Sequence, residues 1–437
     1  VFNYLKQISY RYKQQMNDLL KSVITCDLDG KVETFSEGAQ KLFGYTTDEI
    51  IGKGRVSDFS PGQVVLGHVV NWLKESVEKG VWEGDTVFLH KDGHEIPCHV
   101  KITPTKGKNG EHIGYCGITT PLENKTPDDV RPFISLWTKI FFWMVIMRLP
   151  FLTATIVPIL VGAAVAKSAG FPLSWGWLGL TVLGGCLLHI ATNTANDYFD
   201  HTSGTDEANY NYMVPFSGGS RSIQMGLISA KGMLLVSLIS FSLSALVGIP
   251  LIIKAGNTVL WLGITGAVSG FFYTAPPFRF ASRKGFGELL VGLNFGPLMV
   301  AGSALVQTGE LLPAAFLAGI PLGLLVAAIL YINEFPDHDG DKATGKDTLI
   351  VVFGPEKARL GYVLLVGGAF ASIIIMAVNK TFPMLSLIAL PAAWFGIKAI
   401  QTLYKYYNDR LLQPANAGTI NMHFITGVLF CVGIWLG

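Results

Sequence analysis

Hydrophobic residues are unevenly distributed along this chain. Up to about residue 130, apolar and polar positions are mixed, whereas from Trp137 onward long apolar runs are separated by short charged or Gly/Pro-rich connections. A helix needs roughly 20 apolar residues to cross a bilayer, and the runs predict about nine such helices. Their approximate spans are 141–168, 174–199, 232–254, 257–275, 287–307, 312–334, 358–379, 382–404 and 417–436.

Lysine and arginine cluster after the even-numbered runs, and loops that keep such residues usually face the cytoplasm. The opposite loops carry only Lys167, Lys254 and Lys380. This pattern predicts that the polar N-terminal part and the loops after runs two, four, six and eight lie on the cytoplasmic side of the cell inner membrane. The basic residues concerned are Arg221, Lys231, Arg279, Arg283, Lys284, Lys342, Lys346, Lys357, Arg359, Lys405 and Arg410.

Two apolar runs end in acidic segments. The first segment is NTANDYFDHTSGTD at 193–206, in which Asn193, Asn196, Asp197 and Asp200 are spaced so that a helix places them in one stripe. We call it the first acidic segment.

The second acidic segment, YINEFPDHDGDKATGKDTL at 331–349, closes the sixth run. Asn333, Asp337 and Asp341 recur every four residues, which again makes one stripe if the helix continues. A shift of 140 positions superposes Asn193 on Asn333, which indicates a weak internal repeat. Runs two and six have the same direction, so both stripes are expected to emerge at the same membrane face.

Carboxylates at this depth need a partner. An aspartate at the bilayer centre costs about 2.5 to 3.5 kcal/mol, so the stripes are expected to line a wet cavity or to hold cations. Oxygen ligands of this kind suit Mg²⁺, which combines carboxylates with water and phosphate oxygens. Lys342 and Lys346 beside the second stripe, with Arg221 and Arg279 in neighbouring loops, are candidates to bind the same anion. The residues therefore predict binding of a diphosphate with a hydrophobic tail.

Composition narrows the class of protein. The chain has 437 residues, of which 50% are hydrophobic and 15% charged, and its mean hydropathy is +0.42, as expected of a membrane protein. The net charge of +2 gives no indication of a nucleic-acid partner. The five cysteines form no CxxC pair, so they predict neither a zinc site nor a disulfide scaffold.

The acidic segments leave several interpretations open. Either segment alone is more often a solvated loop, but two stripes on one face, each led by Asn and followed by Gly, favour a site. A cation transporter also uses intramembrane carboxylates, although these acids lie at helix ends and not at mid-bilayer. A membrane sensor without catalysis is the third alternative.

From about residue 146 to the end, the order of motifs resembles the UbiA superfamily of intramembrane prenyltransferases. The matching pieces are MRLPFLTATIVPILVGAAVA, N-D-Y-F-D with S-G-T-D, S-G-G-S-R, Y-T-A-P-P, G-F-G-E and N-E-F-P-D-H-D-G-D-K-A-T-G-K-D-T-L. The resemblance implies an α-helical bundle of about nine transmembrane helices, whose central cavity opens toward the cytoplasm. It also implies that Mg²⁺ and polyprenyl diphosphate bind at two aspartate motifs. Carried over to this chain, the motif residues are Asn193, Asn196, Asp197, Asp200, Asp337 and Asp341, with Asp206 as a third acid.

The chemistry of an allylic diphosphate suggests the mechanism. Mg²⁺ and basic side chains stabilise the leaving diphosphate, so that the C–O bond breaks toward an allyl cation which an electron-rich ring attacks. Apolar walls keep water away from that cation. Tyr198, Tyr273 and Tyr331 are candidates to stabilise it through their π faces, although each is more often a packing residue or an interfacial anchor.

The acceptor is predicted from the loop after the first acidic segment. The hydroxybenzoate and haem branches of the superfamily usually carry R-T-x-x-R-P there, whereas this chain has GTDEANYNYMVPFSGGSRSIQMGLIS. The G-x-D continuation, the GGSR loop and the D-x-D-x-D-x-x-x-G-K-x-T-L ending are more similar to dihydroxynaphthoate prenyltransferases of menaquinone synthesis. In those relatives prenyl transfer is coupled to loss of the naphthoate carboxylate. This chain departs from them in having R-L-P where R-P is commoner, and another quinone or lipid acceptor is the alternative.

The N-terminal part alternates short strands, D-G and N-G turns and one helical stretch. From about residue 12 to 122 it is similar to a PAS domain, a small α+β module, on the pieces D-x-D-G, F-G-Y-x-x-x-E-I-I-G-K and K-D-G. The expected organisation is a PAS sensory domain at 1–125, a linker at 126–140 and the transferase at 141–437. PAS domains sense ligands or dimerise, so modulation of the transferase, a PAS-mediated homodimer and an inert appendage all stay open. No PAS ligand is assigned, and His68 is more often an ordinary surface or core residue than a haem ligand.

Overall fold

The computed structural model describes residues 21–437, so the predicted start of the PAS domain near residue 12 lies outside the described residues. The chain forms two compact units. Unit 1 contains residues up to Trp143 together with the segment Ser222–Ile228, and unit 2 contains Met144–Arg221 and Ser229–Gly437.

Unit 1 is built on a five-stranded antiparallel sheet of order β2-β1-β5-β4-β3. Phe35, Phe43, Phe59 and Phe88 pack against one another at its core, with the rings of Phe43 and Phe59 stacked 4.6 Å apart. The strands are β1 Ser22–Asp27, β2 Val32–Phe35, β3 Trp82–Leu89, β4 Glu95–Lys106 and β5 His112–Pro121.

Short helices cover this sheet. Ser36 begins the helix Glu37–Phe43, since its hydroxyl accepts from the Ala39 N–H, and Gly44 ends it in the left-handed conformation that glycine tolerates. The other helical elements of the N-terminal part are Thr47–Ile50, Val56–Phe59, Gly62–Val64, Val65–Val69, Val70–Lys79, Pro127–Val130 and Leu136–Ile146.

Unit 2 is a bundle of long apolar helices. Eight helices of the described chain are long and apolar enough to cross a membrane, which confirms the predicted α-helical membrane fold. The fourth predicted span corresponds to a helix of only 15 residues. The helices are α1 Leu149–Ser168, α2 Trp175–Thr202, α3 Ala230–Ala255, α4 Asn257–Phe271, α5 Phe286–Thr308, α6 Pro313–Ala343, α7 Pro355–Val378, α8 Met384–Tyr406 and α9 Arg410–Leu436.

The first predicted span, 141–168, is interrupted in the structure. The helix Leu136–Ile146 ends, Arg148 adopts a left-handed conformation with φ 50°, and a 3₁₀ turn then leads into α1. Pro150 explains the break, because a proline inside a helix removes a backbone donor and disfavours helical conformation in the residue before it. The interruption directs the Arg148 side chain toward the end of α2.

Hydroxyl groups and small residues join neighbouring helices. Ser237 donates to the Ala191 carbonyl at 2.8 Å, and Ser303 donates to the Ile159 carbonyl at 2.7 Å. Gly296 lies so close to α6 that an added Cβ would come within 2.5 Å of the Gly319 carbonyl oxygen. Such contacts are typical of helix packing in membranes, where small residues allow close backbone approach.

The two acidic segments continue their helices. Helix α2 extends through Asp200 to Thr202, and α6 runs on to Ala343. The predicted span 312–334 therefore ended too early. The second stripe required the helix to continue, and this condition is confirmed. Helix α6 is also the most buried of the long helices, so its stripe projects from the centre of the bundle.

Candidate active site

Asp197 lies near the end of α2 and is buried, and one of its two carboxylate oxygens is hydrogen-bonded. Its Oδ1 atom accepts hydrogen bonds from the guanidinium of Arg148 and, at 3.3 Å, from the backbone N–H of Ser220. A Cβ added to Gly219 would lie 3.0 Å from this oxygen and 3.4 Å from Oδ1 of Asp206. Asp197, Arg148 and Asp206 therefore converge on Gly219, whose lack of a side chain leaves room for them.

Lys346 joins the two acidic segments. Its Nζ atom lies 3.7 Å from Oδ2 of Asp200 and 3.5 Å from Oδ1 of Asp341. Burial disfavours the charged ammonium, but the Asp200 and Asp341 carboxylates outweigh burial and raise the pKa of Lys346 above its ordinary value. Asn196 donates to the same Asp200 oxygen at 2.9 Å. The two stripes thus face each other across a buried cation, as their common direction predicts.

Asp337 holds the loop that follows α2. Its Oδ1 accepts from the Asn209 side-chain amide at 2.5 Å, and its Oδ2 accepts from the Gly218 N–H at 3.2 Å. The geometry therefore gives this carboxylate a role in positioning residues 209–218, in addition to the metal binding that the resemblance implies.

Arg221 is anchored by backbone carbonyls. It donates from Nη1 to the Asp206 carbonyl at 2.6 Å and from Nη2 to the Asn209 carbonyl at 2.7 Å. Its guanidinium also lies 3.8 Å from the ring centroid of Tyr212. These contacts give the side chain a structural role in the loop, and its predicted part in anion binding stays a prediction. Burial and the neighbouring Asp200 carboxylate raise the pKa of Asp206 in the same loop.

A cavity of about 540 Å³ extends from the polar cluster into the bundle. Asn193, Asn196, Asn333 and Tyr273 line it together with many apolar side chains. Asn193 and Asn333 are the residues that the predicted internal repeat superposes, and both reach the same cavity. The cavity therefore combines polar groups from both segments with a largely hydrophobic lining.

The acidic cluster fits a divalent cation. Oδ2 of Asp197 and Oδ2 of Asp341 are buried and lack hydrogen-bond partners among the described residues. A buried carboxylate oxygen without a donor is costly, and a bound cation removes that cost. Hard oxygen donors beside room for a phosphate are the ligand set that Mg²⁺ prefers.

Other predicted residues lie outside this cluster. Lys342 is exposed, and Arg279 makes no ion pair with either acidic segment within residues 21–437. Tyr198 packs edge-to-face on Phe199. Tyr331 is buried with its hydroxyl donating to the Ala358 carbonyl at 2.8 Å, as a packing residue does. Of the three candidate tyrosines, Tyr273 is the one found in the cavity lining.

Sequence reasoning missed several polar residues. Arg148 was marked only by the R-L-P piece, and its role depends on the helix break. Glu288 lies in the G-F-G-E piece and accepts the Leu349 N–H at 3.0 Å, while its Oε2 atom and that of Glu334 are buried without partners in the described chain. The acid next to Asn333 in N-E-F-P-D was the available signal for Glu334.

Comparisons with known proteins agree with this geometry. The sequence profile of the UbiA prenyltransferase family matches residues 155–425. The chain belongs to the UbiA prenyltransferase family. A PAS domain profile matches residues 20–120. This UbiA family member is therefore a membrane-embedded prenyltransferase with an N-terminal PAS domain, which sets aside the cation transporter and the sensor without catalysis.

Curated relatives of this UbiA member include naphthoate prenyltransferases. The 1,4-dihydroxy-2-naphthoate octaprenyltransferase of Escherichia coli is 30% identical over 306 residues, which cover 67% of this chain and 95% of that protein. The Bacillus subtilis enzyme of the same name is 31% identical over 230 residues, which cover 52% of this chain and 70% of that protein.

Solved structures share the fold. A UbiA homologue from Archaeoglobus fulgidus bound to DMAPP and Mg²⁺ is 17% identical, with a TM-score of 0.50, and the match covers 66% of this chain and 99% of that one. The apo structure of a UbiA homologue from Aeropyrum pernix is 16% identical, also with a TM-score of 0.50, and covers 64% of this chain and 97% of that one.

Proposed function

We propose that this prenyltransferase transfers a polyprenyl group from polyprenyl diphosphate to 1,4-dihydroxy-2-naphthoate, with Mg²⁺ as cofactor, in menaquinone biosynthesis. The observation that carries the proposal is the meeting of the two acidic segments at Lys346, beside the hydrophobic cavity. A charged cluster at the rim of an apolar cavity suits a ligand with a diphosphate head and a hydrocarbon tail. The naphthoate acceptor rests on the activity by which the relatives from Escherichia coli and Bacillus subtilis are named.

In this proposal Asp197, Asp200 and Asp341, with Asp337 and Asp206, hold the cation. Mg²⁺ bound there neutralises the negative charge that develops on the leaving diphosphate. Lys346 keeps its positive charge beside the same group and stabilises it further. Asn193 and Asn196 face the cavity and orient the head group.

In the proposed reaction, the electron pairs of the bonds that break and form balance. The allylic C–O bond of the donor breaks, and its electron pair leaves with the diphosphate. The electron-rich ring of the acceptor forms the new C–C bond, the ring carboxylate departs as CO₂, and its electron pair restores the ring. The role of the apolar cavity walls is to exclude water from the allyl cation. Tyr273 in the lining is placed to present its π face to that cation.

One experiment tests donor, cofactor and acceptor together. The purified protein is incubated with a labelled polyprenyl diphosphate and a panel of aromatic acceptors, with Mg²⁺ or with a chelator, and the products are identified by mass spectrometry. We expect a prenylated, decarboxylated product from dihydroxynaphthoate and none after chelation. Product from 4-hydroxybenzoate alone would refute the acceptor, and equal turnover with chelator would refute the cofactor.

We further propose that the PAS domain modulates transfer. Arg221, which binds the carbonyls of Asp206 and Asn209, is followed directly by Ser222–Ile228, a segment of unit 1. Within unit 1 the Gly62 N–H donates to the Met225 carbonyl at 3.0 Å. Along the chain, residues 222–225 therefore link the Gly62–Met225 hydrogen bond of unit 1 to Arg221 of the candidate site.

Gly62 allows a sharp test of this coupling. A Cβ at residue 62 would lie 2.3 Å from the Met225 carbonyl oxygen, whereas nothing lies within 4 Å of a Cβ at Gly117. We expect Gly62→Ala to change kcat/KM for prenyl transfer, while the matched control Gly117→Ala leaves it unchanged. Unaltered kinetics in Gly62→Ala and after deletion of residues 1–122 would show that the PAS domain is an inert appendage.

We also propose that the PAS domain and the mouth of the site lie in the cytoplasm, with the protein in the cell inner membrane. The concentration of lysine and arginine in loops after even-numbered helices supports this orientation. Alkaline phosphatase fused after α3 or α5 is expected to be active, and the same reporter fused after α2 or α4 is expected to be inactive. The reverse pattern would overturn the orientation.

A further inference from the structure

A group of side chains that could bind a metal ion lies in unit 1, on a part of the sequence distinct from the two acidic segments. The hairpin turn between β3 and β4 has the sequence H-K-D-G-H and carries His90, Asp92 and His94. The ligand atoms of these three side chains all lie within 4.8 Å of one another. From the sequence, cysteines were considered as zinc ligands, and this group of two histidines and one aspartate was not predicted.

The two imidazoles approach one carboxylate oxygen. Oδ1 of Asp92 lies 3.1 Å from Nδ1 of His90 and 2.6 Å from Nδ1 of His94. The two rings are stacked with centroids 4.6 Å apart. In a tetrahedral zinc site the ligand atoms lie about 2.0 to 2.2 Å from the metal and hence roughly 3.3 Å from one another. The observed separations need only small side-chain rotations to reach that arrangement.

The turn that carries these ligands is firmly anchored. The His90 N–H donates to the His94 carbonyl, and the Lys91 N–H donates to the Phe43 carbonyl, each at 2.9 Å. Lys91 also pairs with Glu49 at 2.6 Å. The His90 ring packs against Gly44, where an added Cβ would lie 2.3 Å from Nε2. Nε2 faces Gly44, whereas Nδ1 is directed toward Asp92, where it accepts the Asp92 backbone N–H at 3.3 Å and would have to exchange this weak hydrogen bond for a metal.

We propose that His90, Asp92 and His94 form a binding site for a divalent transition-metal ion of the zinc class. Two imidazoles with one carboxylate are a set that such ions take and that Mg²⁺ does not favour. Asp92 and His94 are well exposed, so water completes the coordination. The site is independent of the proposed prenyl transfer, and the absence of either would leave the other standing.

Zinc binding to the full-length protein tests the proposal. The protein in detergent, with excess Mg²⁺ to occupy the acidic segments, is titrated with Zn²⁺ by calorimetry. We expect one zinc site per chain whose affinity falls roughly tenfold or more in His94→Ala, because neutral imidazole supplies much of the binding. Because the His94 side chain is exposed, we expect this variant to fold like the unchanged protein, and circular dichroism checks it.

His99 provides the matched control. This histidine of strand β4 also has two acidic neighbours, but its Nδ1 faces Asp85 at 2.6 Å and its Nε2 faces Glu83 at 2.9 Å, so the groups cannot converge on one ion. His99→Gln is expected to bind zinc like the unchanged protein. Equal loss of affinity in both variants, or no loss in His94→Ala, would mean adventitious surface binding and would overturn the site.

Replacing His94 by cysteine gives a spectroscopic signal that a merely structural role of residue 94 would not produce. Co²⁺ replaces Zn²⁺ as a coloured probe, and His94→Cys offers a thiolate at the same position. We expect this variant to retain binding and to gain a near-ultraviolet thiolate-to-cobalt absorption band that the unchanged protein lacks. Its absence in a folded, cobalt-treated His94→Cys protein would contradict coordination by residue 94.

Discussion

The Nζ atom of Lys346 lies 3.7 Å from Oδ2 of Asp200, so a lysine just beyond helix α6 pairs with an acid at the end of helix α2. The same nitrogen pairs with Asp341. Two segments far apart in sequence therefore share one buried positive charge, and the site depends on both helices keeping their register.

Removing this shared charge is expected to inactivate the enzyme. Lys346→Ala leaves Asp200 and Asp341 facing each other without their cation and removes a stabilising charge beside the leaving diphosphate. We expect kcat/KM for prenyl transfer to fall by roughly 100-fold or more. Lys342→Ala is the matched control, because that lysine lies in the last turn of α6 but is exposed. Similar losses in both variants would argue against a specific role for Lys346.

Arg148 and Asp197 are expected to act as one unit. Their hydrogen bond is partly buried, and Asp197→Ala alone should abolish detectable Mg²⁺-dependent product. Arg148→Ala leaves the carboxylate with the Ser220 N–H as its donor but without its cationic partner, and should cost roughly as much as Asp197→Asn. Residues that act together are strongly non-additive, so the double variant should be no worse than the poorer single one. Rates that multiply in a double-mutant cycle would show that the two side chains act separately.

Asp337 is expected to control the order of the loop at residues 209–218. Asp337→Ala removes the acceptors of the Asn209 amide and the Gly218 N–H, so hydrogen exchange of this loop should accelerate even without substrate. Glu310→Ala, at an exposed side chain between α5 and α6, is the control. If exchange is unchanged in Asp337→Ala while activity is lost, the carboxylate acts on the ligand and not on the loop.

The stability of the PAS sheet should depend on pH through His99. Hydrogen bonds that His99 donates to Asp85 and, to a smaller extent, to Glu83 raise the pKa of His99. A raised pKa means that the stabilisation is fully present below the ordinary value of about 6.5 and is lost as pH rises through the folded-state value. Hydrogen exchange in β3 and β4 should therefore indicate a less stable sheet at pH 9 than at pH 6, after correction for the intrinsic exchange rate. His99→Gln should flatten this dependence.

Two PAS cysteines are expected to be unreactive. Burial raises the pKa of Cys26 and of Cys98 to about 12, so at pH 8 only about one thiol in ten thousand is a thiolate. Both should resist alkylation in the folded protein and react after denaturation, as peptide mass spectrometry can measure. Rapid labelling of either in the native protein would contradict their burial.

The helical part of the site could be predicted because its signals are local. Asn193, Asn196, Asp197 and Asp200 follow the 3.6-residue period of one helix, and so their common face can be deduced without knowing the fold. Lys346 joins the two acidic segments, whereas Lys342 is exposed. This difference depends on the turn after Ala343, where the helical periodicity ends.

The irregular part could not be predicted in the same way. Residues 203–229 have no period, yet this stretch brings Asn209 to Asp337 and turns Arg221 toward backbone carbonyls. The break at Arg148 had a signal in Pro150, but the long apolar run around it favoured an unbroken helix. Contacts that depend on loop conformation need tertiary information that neither propensity nor spacing carries.

Glycine is frequent among the residues that line the cavity, and this limits how substitutions can change the cavity volume. Nothing lies within 4 Å of a Cβ placed on Gly248 or Gly263, so larger residues fit there without disturbing the helices. Substitution at a glycine only removes space and never adds it. We therefore expect larger side chains at Gly248 and Gly263 to shorten the prenyl chain that the cavity accepts. The glycines that line the cavity are Gly184, Gly185, Gly248, Gly263, Gly266, Gly270 and Gly302.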